Sequence, residues 1–265
     1  MTNRLGANRR GAATSVATES LERFVLATRP EYPRRAVYLA LAGDIVLLLA
    51  FVGITLLGDS VPRMFDLDGE KNIPTWYASA KLLAVAALLA LVALNADRRD
   101  RLTQLVLLMP VALFVFLSID EVASIHEMLG GRIDSMVTDT PDRAEMVLHI
   151  TGYWMFVLGP MLAAAMVAMG IAYHRLVRPA ATIMRLAALG AGVFLLGATV
   201  VEIGRNFVEH PLALMLQVTL EEGMELIGVS LILAAALHLA AEKLRQSVPK
   251  PSRASPQRQS ASASP

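Results

Sequence analysis

The chain has 265 residues, of which 55% are hydrophobic and 18% are charged, and its formal net charge is +1. Its mean hydropathy of +0.53 excludes a soluble globular domain, because a chain this apolar would expose large apolar patches to water. It contains no cysteine, which excludes disulfides, thiolate metal sites and a cysteine nucleophile, and nothing in it is typical of nucleic-acid recognition.

Six apolar runs, each bounded by charge, proline or glycine, are long enough to cross a bilayer as helices of about twenty residues. Strands of a membrane barrel would instead show short segments of alternating polarity. We therefore predict an all-α integral membrane protein built as a bundle of six transmembrane helices. The predicted spans are residues 37–57, 77–96, 102–121, 147–173, 183–204 and 213–241.

The two ends of the chain lack apolar periodicity and cannot offset the entropy of ordering. We expect a disordered basic tail at residues 1–30, a transmembrane domain at 31–245 and a disordered Pro/Ser-rich tail at 246–265. With both ends in the cytoplasm, most of the 24 basic residues fall on the cytoplasmic side. The positive-inside rule therefore predicts an N-in/C-in protein of the plasma (inner) membrane. Its expected partner is the lipid bilayer, and the sequence leaves a homo-oligomer open.

Two charged residues lie within the first and second predicted spans. Asp44 falls beyond Arg35, near the bilayer midplane, where an isolated charge is costly. One interpretation is that Asp44 is protonated and hydrogen-bonded to another helix; the other is that it relays a proton or cation toward His238 on the inner side. Lys81 lies a little below the outer boundary, where it could neutralise part of an acidic cluster.

The third span ends in an acidic stretch. The glycine pair at 130–131 predicts where its helix stops. At 100° per residue, Asp120, Ser124 and Glu127 form one polar stripe, and carboxylates on such a stripe are typical ligands of a cation. The alternative interpretation is that Glu127 and Glu121, which lies on another face, extend from the helix end into water.

Histidines near the same boundary could add nitrogen ligands. His126 lies on another face of the third helix, whereas Glu145, His149 and Tyr153 follow one another at a spacing of four in the fourth span. A lone histidine such as His149 is more often a hydrogen-bonded interfacial residue than a ligand.

The fifth and sixth spans carry acids at the same depth. Glu202 ends the fifth span, and Arg205 beside it offers a compensating charge. In the sixth span Glu221 and Glu225 share a face, and Glu222 lies close enough to Glu225 to share a cation or a proton with it. These three acids repel one another, so they require a bound cation, a shared proton or basic residues from other helices.

The sequence lacks the motifs of serine hydrolases, zincins, nucleotide-binding proteins and intramembrane aspartyl proteases. We predict a polytopic membrane protein whose outward-facing cluster binds or translocates a cation, either a divalent metal ion or a coupled proton. The alternatives are a membrane-embedded metal-dependent enzyme acting on a lipid or quinone at the outer leaflet, and an assembly or scaffold subunit. The predicted ligands are Asp120, Glu127, Glu202, Glu221, Glu222, Glu225, His126 and His149; the relay is Asp44 and His238; the charge partners are Lys81 and Arg205.

Overall fold

The computed structural model of the chain describes residues 31–58, 60–96, 101–137 and 147–247. Within these ranges the chain forms helices and turns and no strand. The tail predicted at residues 1–30 and the part of the second tail beyond residue 247 lie outside the described residues.

Seven helices follow one another along the described chain. All of them except α4 are long and apolar enough to cross a membrane, so the prediction of six long apolar helices is confirmed. Helix α6 includes a π-helical segment, Leu196–Val201, and ends in a 3-10 turn. The helices are α1 (Glu31–Leu57), α2 (Ile73–Asn95), α3 (Arg101–Ala123), α4 (Ile125–Val137), α5 (Met155–Val177), α6 (Ala181–Phe207) and α7 (Pro211–Ser247).

Helix α7 is the centre of the bundle and packs against α1, α2 and α6. The most apolar stretch of α7 is 67% buried. The corresponding stretch of α5, which packs mainly against α3 and α6, is 6% buried. Helices α6 and α7 approach closely at Gly190 and Gly228. A Cβ atom on Gly228 would lie 2.6 Å from the backbone nitrogen of Phe194, so only glycine permits this crossing.

The third membrane helix ends earlier than the glycine pair at 130–131 predicts, and that prediction is wrong. Helix α3 stops at Ala123 because Ser124 adopts a left-handed conformation (φ 53°), and α4 then runs through both glycines. The Asp120 carboxylate accepts a hydrogen bond from the backbone N–H of His126 (2.7 Å), which satisfies a free donor in the first turn of α4. The predicted stripe is therefore divided between two helices.

The fourth membrane helix begins later than predicted, at Met155, and residues 147–153 form turns. Side chains distant in the sequence hold these turns. Asp134 of α4 accepts hydrogen bonds from the backbone N–H groups of residues 153 and 154, and Asn206 of α6 accepts them from residues 150 and 151. The predicted helical stacking of His149 and Tyr153 is therefore wrong, and Glu145 lies outside the described residues.

Candidate cation site

Helices α3, α6 and α7 bring five glutamates together at one edge of the bundle. The carboxyl group of Glu225 lies within electrostatic range of those of Glu222, Glu121 and Glu202. Glu221 is buried, and the other four are half-buried. We call this set the acidic cluster: Glu121, Glu202, Glu221, Glu222 and Glu225.

The shape of α6 positions its glutamate against α7. The π-helical segment immediately precedes Glu202, and such segments are frequent at functional sites. Within the segment, a Cβ atom on Gly197 would lie 3.0 Å from both the backbone oxygen of Glu221 and Cβ of Met224, so the two helices are in backbone contact here. Gln217 of α7 reinforces the contact, because its amide donates hydrogen bonds to the Val201 carbonyl (3.2 Å) and to Glu221 (2.6 Å).

The two predicted charge partners are each paired with another carboxylate. Lys81 lies 2.6 Å from Asp44, and both terminal nitrogens of Arg205 bind Asp68. Both cations are within electrostatic range of individual members of the acidic cluster, but neither forms an ion pair with it.

As a result, four members of the cluster lack a direct partner. Across the part of the chain that the structure describes, no hydrogen bond or ion pair reaches the carboxyl groups of Glu121, Glu202, Glu222 or Glu225. Close acids without a protein cation require either shared protons or an external cation. The cluster therefore has the charge and the ligand type of a cation site.

A second group of ligands lies beside the cluster, and we call it the edge site. One ligand atom each from Glu70, His126 and Glu127 lie within 4.8 Å of one another. Glu70 precedes α2, whereas the other two belong to the first turn of α4. Oε2 of Glu70 is buried and has no hydrogen-bond partner among the described residues. This atom is therefore available to a ligand.

Asp120 orients the histidine of the edge site. Its Oδ2 lies 3.1 Å from Nδ1 of His126. The other ring nitrogen, Nε2, does not take part in this contact. A carboxylate behind a histidine is the usual outer-shell arrangement of metal-binding imidazoles. The ring is also held by Trp154, whose centroid lies 5.7 Å away.

Burial lowers the pKa of His126, but the hydrogen bond to Asp120, reinforced by the charges of Asp120, Glu202 and Glu127, outweighs it and raises the pKa to about 9. For Glu70, burial and then the neighbouring Glu127 charge raise the pKa of the carboxyl group above its usual value. His126 therefore carries a proton at neutral pH when no metal is bound, and a cation at the edge site would replace that proton.

The edge site and the acidic cluster are continuous. Glu121 lies within electrostatic range of His126 and Glu70, and Glu202 lies within range of His126 and Glu127. Carboxylates and an imidazole from several helices therefore lie near one another at this end of the bundle.

A separate polar network lies deeper in the bundle. Asp44 is fully buried, and it binds Lys81 and the Ser230 hydroxyl, which donates to it at 2.6 Å. The Lys81 ammonium also donates to the Leu226 carbonyl (2.8 Å). His238 lies further along α7, in a pocket of about 540 Å³ that opens on the opposite side of the bundle.

The structure separates some predicted ligands and adds others. His149 is exposed in the turn before α5 and is not part of the edge site. Glu121 replaces Asp120 in the acidic cluster because Asp120 turns toward His126. Glu70 was not expected, since a single acid in a loop carries no spacing signal. The cap residues Asp134 and Asn206 were missed for the same reason.

A family model described as "Domain of unknown function (DUF8692)" matches residues 36–239. The matched range contains every residue of the acidic cluster and of the edge site. No curated protein and no solved structure matches the chain.

Proposed function

We propose that this chain, which belongs to the family described as Domain of unknown function (DUF8692), binds a cation at the acidic cluster and translocates it across a membrane. One observation carries the proposal. Four glutamates from three membrane helices converge without an ion pair, because Lys81 and Arg205 are committed to Asp44 and Asp68.

The chemistry of the cluster favours a hard divalent cation. Carboxylate oxygens are the ligands that such ions prefer, and several of them on different helices can adapt to one ion. Ionised acids near the bilayer edge cost free energy, and a bound cation would offset this cost. The edge site supplies an imidazole and further carboxylates on the outer approach to the cluster.

Translocation is supported by the deeper network of Asp44, Lys81 and Ser230. We propose that Asp44 is an intermediate station between the acidic cluster and the opposite side, where His238 lies in a pocket beside Glu242 and Arg245. A fully buried ion pair within the membrane is costly to maintain, and such residues commonly mark ion or proton routes. A site that worked only at the membrane edge would not need it.

We propose that both termini are cytoplasmic and that the acidic cluster faces outward in a plasma (inner) membrane. Support comes from the described ends of the helices opposite the cluster, which carry mostly basic residues. Such residues favour the cytoplasmic side. They are Arg34, Arg35, Arg101, Arg175, Arg178, Arg185, Lys243 and Arg245, against Glu31 and Glu242.

A second candidate function is that of a metal-dependent enzyme acting on a lipid or quinone at the outer leaflet. The specific observation in its favour is the edge site, where Glu70, His126 and Glu127 converge and Asp120 supports the imidazole. A metal ion held there at head-group depth could activate water against an ester, amide or phosphate.

Metal content of the purified protein tests the binding step. We expect detergent-purified wild type, incubated with Mg²⁺, Ca²⁺ or Mn²⁺ and desalted, to retain one of these metals in stoichiometric amount. Glu225→Gln keeps the side-chain shape but removes a charged ligand, so it should lose the metal. The matched control is Glu242→Gln, which changes an acid at the other end of the same helix and should retain it. No retained metal in wild type would leave the scaffold alternative.

Uptake into proteoliposomes separates transport from catalysis. We expect wild type to move the retained metal across the bilayer, and the double variant Asp44→Asn/Lys81→Met, which leaves no unpaired buried charge, to keep metal binding but lose uptake. A protein that binds metal without any uptake would favour the enzyme.

A further inference from the structure

A large apolar cavity lies in the half of the bundle opposite the acidic cluster. Its volume is about 800 Å³, and it is bordered by α5 on one side and by α2, α3, α6 and α7 on the other. Its lining in α6 precedes the π-helical segment, and its lining in α7 follows Glu225 by two turns. It is therefore separate from the candidate cation site, and what it binds does not depend on the function proposed for that site.

Small residues keep the cavity open. Alanines of α6 and the glycines Gly170 and Gly192 line it, and a Cβ atom on either glycine would meet no atom within 4 Å. Helix α5 packs mainly against α3 and α6. The cavity therefore separates much of α5 from the helices around α7.

The cavity is elongated along the helices. In α6 its lining extends from Ile183 to Leu195, which corresponds to about 18 Å at the rise of an α-helix. The lining side chains are almost entirely apolar, among them Phe114, Met166 and Ile232. A long and apolar volume suits a hydrocarbon chain.

The cavity also has a basic end. His174 and Arg175 line it in the last turn of α5. A guanidinium binds phosphate through paired hydrogen bonds, and basic residues near a bilayer surface attract anionic lipids. The described charged residues at this end of the bundle are predominantly basic, so the charge is complementary to an anionic head group.

We propose that this cavity binds an anionic membrane phospholipid, with one acyl chain along the apolar lining between α5 and α6 and the phosphate at His174 and Arg175.

Photolabelling in vesicles tests the location. The probe is phosphatidylglycerol with a diazirine on one acyl chain, present as a minor component in phosphatidylcholine vesicles that contain the full chain. We expect the labelled peptides to include lining residues around Met166 in α5 and Met184 in α6. Labelling confined to surface positions outside the cavity, such as Leu189, which is 57% exposed, would overturn the proposal.

Two matched glycine substitutions test whether the cavity is the binding site. Gly192→Phe fills the cavity and should reduce labelling of its lining several-fold. Gly53→Phe places the same ring at a position of α1 that also has no atom within 4 Å and does not line the cavity, so it should label like wild type. Equal labelling in the two variants would contradict the proposal. Should Gly192→Phe not fold, Gly170→Leu makes the same comparison.

The head-group preference is tested with Arg175→Gln. In wild type we expect the phosphatidylglycerol probe to label the cavity several-fold more than a phosphatidylcholine probe with the same diazirine chain. In Arg175→Gln the difference should largely disappear while labelling by the neutral probe stays the same. Equal labelling of wild type by both probes would overturn the anionic lipid and leave an apolar ligand in its place.

Discussion

Asp44 and Lys81 form an ion pair within the bundle, with side chains 0% and 5% exposed. Removing two charges from water is expensive, and here the cost is partly offset by hydrogen bonds to the Leu226 carbonyl and to Ser230. Replacing both residues with neutral groups should therefore destabilise the fold less than removing only one of the two charges.

Comparison of a single and a double variant tests this asymmetry in stability. Lys81→Met leaves Asp44 buried without its cation, so we expect the free energy of unfolding in detergent micelles to fall by about 3–5 kcal/mol. The double variant Asp44→Asn/Lys81→Met should recover most of this loss. A single variant that is no less stable than the double variant would show that the pair is not coupled.

The pKa of His126 provides a second test at a single residue. In the metal-free protein we expect its NMR titration near pH 9 to move toward the ordinary value of 6.5 in Asp120→Asn, which keeps the backbone cap but removes the charge. Because folding raises this pKa, the ion pair stabilises the protein fully below about pH 6.5, and the contribution is lost as the pH rises through about 9. The melting temperature of wild type should therefore fall over this interval more than that of Asp120→Asn. The same His126 pKa in both proteins would show that Asp120 does not raise it. The effect is small because the His126 side chain is 37% exposed.

The crossing of α6 and α7 depends on glycine at the level of whole helices. Gly228→Ala adds a methyl group 2.6 Å from the backbone nitrogen of Phe194, so the helices must separate. We expect a loss of about 1–3 kcal/mol in the free energy of unfolding, as in other overpacked interiors. The control Gly53→Ala meets no atom within 4 Å and should be neutral or slightly stabilising. Equal stability of the two variants would contradict the close crossing.

The bounds of the helices show what local sequence can and cannot predict. Long apolar runs identified the six helices because length and hydropathy are properties of one segment. The start of α5 and the helix stop expected at the glycine pair 130–131 were wrong because Asp120, Asp134 and Asn206 satisfy backbone donors of residues elsewhere in the chain. A turn held by distant side chains leaves no periodic signal in its own sequence.

At the level of the whole molecule, the sequence predicts where the glutamates lie along their helices. It does not predict which charged residues pair with one another. The sequence places Glu202, Glu222 and Glu225 at the same depth in their spans, and the structure brings these residues together. Which cation pairs with which acid depends on the arrangement of the helices. Lys81 and Arg205 were expected to neutralise the acidic cluster, and they instead pair with Asp44 and Asp68.

Reporter fusions test the proposed orientation. A fusion after residue 136 and another at the C-terminus should report opposite compartments, the second of them cytoplasmic, because three apolar spans follow α4. Both reporters on the same side of the membrane would contradict the outward-facing cluster.

Thermal unfolding of the purified full chain, with and without a chelator, distinguishes a cation site from a structural network of charges. If the acidic cluster holds a metal ion, chelation should lower the melting temperature of wild type by mass action. Glu225→Gln should be insensitive to the chelator and at least as stable as chelated wild type, since a costly negative charge has been removed. Glu242→Gln should respond like wild type. A wild type that does not respond to the chelator, together with a destabilised Glu225→Gln, would show that the glutamates only stabilise the fold.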